Sequence, residues 1–194
     1  MRRMTLVTLA AAVLAVPSAA VAQAPTPPAP QTFTLSGNMI RGYQNLQRNL
    51  AEAAEKMPDA SYSFKPTPDV RPFGELVAHV ALSQFGTCAA LKGDTAPPHK
   101  DAKEDAARSK AELIALLKES TAYCDPLLTA LKDEDMTSLT KAGQNQVAKG
   151  LFLAGTNTHG NEMYGTMAVY LRLKGIVPPT TERQNAARET KKSQ

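Results

Sequence analysis

Residues 159–179 read HGNEMYGTMAVYLRLKGIVPP, and they decide the fold. His159, Met163, Met167 and Tyr170 recur in steps of four and three, continuing a stripe begun by Phe152 and Thr156. That spacing predicts one long helix from about Gln144 to Lys174, ended by Gly175 and then Pro178-Pro179. A histidine inside an apolar stripe is the informative residue. A buried imidazole needs a partner for each ring nitrogen, and a metal ion is one common partner. A second ligand four residues on would lie one turn along the same face. That position is Met163.

Three more periodic stretches precede this one. Met39, Tyr43, Leu46, Leu50, Ala53 and Met57 mark a helix from about Asn38 to Met57, with Asn38 as its cap and Pro58 as its stop. Phe73, Leu76, Val77, Val80, Cys88 and Leu91 mark a second, opened by Pro72 at a first-turn position. Leu113, Leu116, Leu117, Tyr123, Cys124, Leu127, Leu128 and Leu131 mark a third, from Ala102 to Leu131, kinked at Pro126. Asp133 to Gln144 reads as a loop. No stretch alternates with a period of two for long, so strands are not expected. The fold class is all-α, a four-helix bundle.

The ends differ in kind. Arg2 and Arg3, the apolar run Leu6–Val16 and the small-x-small Ala20-Val21-Ala22 compose a cleavable export signal over residues 1–22; a retained anchor is the alternative. Residues 23–32 are a proline-rich linker, expected to stay extended. Residues 33–181 hold one domain, and residues 182–194 read as a disordered basic tail. The chain carries +4 overall; the leader contributes two arginines and the tail two more bases than acids, so the domain is formally neutral. With no basic stripe interleaved with aromatics, nucleic acid is not an expected partner. No membrane partner is expected once the signal is removed. The expected location is periplasmic or extracellular.

A metal site in a bundle needs ligands from different helices converging on one point. His79 lies about 100° around the second helix from Val80, at the margin of its apolar face, and can reach the centre. His79, His159 and Met163 are therefore the candidate metal ligands, with Met163 a soft donor better suited to copper(I) than to zinc. Each also has a plainer reading, as hydrogen-bonded or packed core. Glu162, about 60° from His159, reads as a surface charge or a base for a bound water. His99, in the loop KGDTAPPHKD, reads as solvated. Ser83 and Thr87 lack a His–acid pair at recognisable spacing. Cys88 and Cys124 are an even pair in an exported chain, which favours a disulfide over two buried thiols. Their heights match only if the second and third helices run parallel.

With these residues in place, YSFKPTPDVRPFGELVAHVALSQF (62–85) and HGNEMYGTMAVYLRLKGIVPP (159–179) resemble the DinB-like family of metal-dependent four-helix proteins. The resemblance covers about residues 38–179. It implies an up-down-down-up bundle, in which the second and third helices are parallel. It also implies a divalent metal, often zinc or nickel, held by one histidine of the second helix and an HxxxH of the last. His79 and His159 match that pattern, and Met163 stands where the third histidine is expected. Some relatives are thiol S-transferases, so a transferase or hydrolase-like activity on a small molecule is the leading expectation. The alternatives are a metal-free bundle binding a small ligand or partner, and a copper-handling protein using two His and one Met. A homodimer is compatible with either.

Overall fold

The computed structural model describes residues 32–193, so the expected leader and nearly all of the linker lie outside the described residues. Within this range the chain is mostly helical, with five α-helices and one two-stranded hairpin. α1 (Leu35–Lys56) starts at Thr34, whose hydroxyl accepts from the Gly37 amide, rather than at Asn38. α2 (Phe73–Lys92) follows Pro72 and closes on Gly93, whose left-handed φ of 75° suits a residue without a Cβ. α3 (Lys110–Leu128) starts eight residues later than its periodicity suggests. Ser109 and Glu112 form a reciprocal capping box there, satisfying two of the free amides at the helix start. Pro126 is tolerated close to the end of α3, which stops two residues beyond it.

The stretch expected as loop contains β1 (Leu139–Ala142), and the first residues expected in the last long helix form β2 (Asn145–Ala148), so the fold is not purely α. The strands pair antiparallel, Leu139 with Ala148 and Ala142 with Asn145. Gly143 opens the two-residue turn at φ 59°, the conformation such a tight hairpin needs. Four-residue strands are too short for their alternation to stand out from a loop. The hairpin delays the start of α4 (Lys149–Leu173) by five residues relative to the expected Gln144.

The tail is also different from the disordered segment expected. α5 (Pro179–Lys192) runs through it, with proline at the favoured first position. Arg183 of α5 bonds to Glu52 and Asn49 on α1, and Lys56 pairs with Glu182 at 3.0 Å. Polar composition hid this helix because charges and hydrogen bonds, not an apolar stripe, tie it to the bundle.

The pairings reveal how the helices align. Gly74 lies against Leu113, the Gln84 side chain meets Ser120 at 3.0 Å, and Cys88 is bridged to Cys124. The numbers rise together along both helices, so α2 and α3 run in the same direction. The Cα atoms of the two cysteines are 5.5 Å apart, within the range a disulfide requires. Between α1 and α4, a Cβ on Gly160 would stand 2.5 Å from Leu46 Cδ2, so glycine sets how closely these helices approach.

The core has two parts. Tyr43, Cys88, Cys124, Leu128, Phe152 and Leu153 fill the disulfide end. Leu50, Met57, Phe73, Val77, Met167 and Leu171 are among those filling the rest. Among the described residues, no helix is long and apolar enough to cross a membrane.

Candidate functional site

His79 sits in the second turn of α2 and His159 midway along α4. Their rings meet nearly edge to face, with centroids 4.9 Å apart and planes inclined at 77°. Two imidazoles bound to one tetrahedral ion, each nitrogen about 2.0–2.1 Å from it, have ring centres about 5 Å apart. The spacing therefore fits a shared ion.

The two rings differ in their partners. His79 Nδ1 lies 2.6 Å from Glu104 Oε1, and the other oxygen of that carboxylate accepts from Arg71 Nε at 3.0 Å. Burial acts to raise the Glu104 carboxyl. The hydrogen bond and charge of His79, with those of Arg71, outweigh it and hold Glu104 below its ordinary 4.5. An ionised carboxylate only accepts, so His79 Nδ1 carries the proton. In the neutral ring this leaves Nε2 with its lone pair, the arrangement of a carboxylate–histidine–metal triad.

His159 has no such support. Its Nε2 is buried without a hydrogen-bond partner. Burial, and after it the repulsion that a proton on neighbouring His79 would add, pushes its pKa below 6.5, which favours the neutral ring with a lone pair to donate. An orphaned buried nitrogen is costly unless something binds it.

Met163 is one turn beyond His159 and 9% exposed. It lines a different space. His159 borders a cavity of about 180 Å³ with Ser83, Thr87 and Thr156, whereas Met163 borders one of about 570 Å³ with Arg71 and Tyr170. Among the described residues, no three His, Cys, Asp or Glu side chains gather into a metal shell. The donors brought together are two imidazoles, and the Met163 thioether lies on the neighbouring cavity. The pair fits an ion through its nitrogens and lacks a third nitrogen or oxygen donor.

Of the residues read from sequence, His79 and His159 come together. Glu162 is exposed, as a surface charge should be. His99 is not simply solvated: its Nε2 lies 2.9 Å from Glu119, its ring packs 5.1 Å from that of Phe85, and its backbone takes a left-handed φ of 58°. Sequence reading missed Glu104 and Arg71. Both lie outside helices, where no periodicity ties them to a face. Starting the third helix at Ala102 placed Glu104 on that helix, whereas the Ser109-x-x-Glu112 signature leaves it in the loop that reaches His79.

A helical bundle with two histidines packed together from helices that are not consecutive in the chain defines the class. The DinB superfamily model matches residues 43–167, and this chain belongs to that superfamily. No protein of curated function matches it. The fold is similar to that of a DinB-like protein from Bacillus cereus ATCC 10987, with a TM-score of 0.61 at 17% identity, covering 75% of this chain and 95% of that one. A DinB-like protein from Bacillus subtilis gives 0.57 at 22% identity, covering 71% and 92%. A conserved protein from Enterococcus faecalis gives 0.56 at 16%, covering 73% and 98%.

Proposed function

We propose that this chain is an exported metal-binding DinB-like protein, its four long helices arranged up-down-down-up, with His79 and His159 as the nitrogen donors and Met163 as the adjoining soft donor. The single observation that carries the reading is a buried, partnerless His159 Nε2 on a ring packed 4.9 Å from a second imidazole whose tautomer Glu104 fixes. Glu104 and Arg71 are positioning residues: they hold His79 in one tautomer and one orientation. A divalent ion there, zinc or nickel, supplies Lewis acidity toward a small-molecule substrate, as transferase or hydrolase-like chemistry requires. Met163 supports a second reading, copper handling, because two imidazoles and a thioether suit a softer ion.

Met163→His tests the assignment. Restoring a third imidazole one turn from His159 should raise zinc or nickel affinity at least about tenfold, since a three-histidine shell is a complete catalytic-type set. Equal uptake by the wild type and the variant, measured by titration, would move the site elsewhere. Copper(I) affinity that falls in the same variant while zinc affinity rises would favour the copper reading for the natural chain.

A further inference from the structure

The cavity of about 570 Å³ beside Met163 is not explained by the ion alone. Its walls are largely apolar, with Val70, Leu76, Met163 and Tyr170 among them. Its charged groups are Arg71 and Asp69. This is the usual form of a small-molecule site: an apolar body of several hundred Å³ with few polar groups that set orientation.

Arg71 is held at both ends. The Tyr170 hydroxyl donates to its backbone carbonyl at 2.8 Å, and its Nε donates to Glu104 at 3.0 Å. A guanidinium has five N–H donors in a rigid fork. One is committed to Glu104, and the side chain remains 46% exposed. The carboxylate that takes this donor also takes His79, so one group fixes the guanidinium and the imidazole relative to each other. A ligand bound through Arg71 is thereby registered against the histidine pair. A bidentate fork suits a planar carboxylate better than a point charge does. Asp69 on the same cavity opposes a second negative charge.

We infer that this cavity binds a small monocarboxylate with an apolar body, its carboxylate on Arg71 and its body against Leu76, Met163 and Tyr170. A substrate delivered to the metal site from this neighbouring cavity is then an amphipathic organic acid, an assignment that rests on the site reading above. The binding step itself needs no metal, which separates the two.

Metal-free protein, stripped with EDTA and labelled at the methionine methyls, is titrated with hexanoate, hexanol and hexylammonium by NMR. The Met163 methyl resonance is assigned with Met163→Leu. Hexanoate is expected to shift it saturably, with hexanol at least tenfold weaker and hexylammonium weaker still; Arg71→Gln is expected to weaken hexanoate at least tenfold. Equal binding of hexanol, preference for hexylammonium, or an unmoved Met163 methyl would overturn the inference. If Arg71→Gln lost its helical signal, Arg71→Lys would decide: it keeps the charge without the fork, and an unchanged hexanoate affinity would overturn the role given to Arg71. Hexanoate binding without metal uptake would sink the metal reading alone, and metal uptake without hexanoate binding would sink this one alone.

Discussion

α2 carries two very different buried sites. Nine residues past His79, about 13 Å along the helix, Cys88 is bridged to Cys124 among mainly apolar side chains. Tyr43 there is fully buried, and its hydroxyl is accounted for by Asp125 at 2.8 Å. At His79, by contrast, four polar side chains from two helices and two loops meet beside two cavities, and one ring nitrogen is left without a partner. The covalent bridge ties α2 to α3 within a packed apolar cluster. The histidine end keeps unsatisfied chemistry and space.

The largest expected effect is on stability. Replacing both cysteines, Cys88→Ala with Cys124→Ala, removes a cross-link spanning 36 residues. Denaturant unfolding should show a loss of about 2–4 kcal/mol. Zinc affinity of the folded variant should stay within about twofold of wild type, because distant sites with no shared partners act additively. A parallel collapse of metal affinity would show that the two regions are one unit.

Glu104→Gln should do the reverse. Removing the carboxylate's charge leaves the core packing in place but releases the His79 tautomer, so metal affinity should fall about 10–100-fold with little change in unfolding midpoint. Isothermal titration beside a melting curve reads both. If stability fell and affinity held, Glu104 would be a structural residue.

The smallest effect is in pH. The folded pKa of His159 is below 6.5, so the unfolded chain takes up its proton first as acid is added. The stability linked to this group is intact above pH 6.5 and is lost as pH falls through the folded value. Glu104, held below 4.5, adds a second loss only at lower pH. Unfolding of metal-free His159→Gln should be flatter between pH 6.5 and 4.5 than that of wild type. Identical slopes would mean that His159 is not held neutral by its surroundings.

The same division explains what was legible in the sequence. The long helices announced themselves through apolar residues in steps of three and four, and His79 and His159 could be placed because those stripes fix which face each occupies. The DinB likeness then supplied the relation between the two. Glu104 and Arg71 belong to irregular chain, where position follows from the folded path and not from a repeat. The hairpin at Leu139–Ala148 is too short to show its period, and α5 is held by Arg183 and Glu182 rather than by an apolar face. What remained hidden was therefore the polar half of the site.

The central claim is that His79 and His159 share one ion. Zinc titrated into wild type and His159→Gln, with the histidine ring nitrogens followed by NMR, tests it directly. The account predicts one ion per wild-type chain, shifts at His79 and His159 but not at His99, and at least hundredfold weaker binding in the variant. Equal affinity in the two proteins, or saturating zinc that leaves the His79 and His159 rings unshifted, would contradict it.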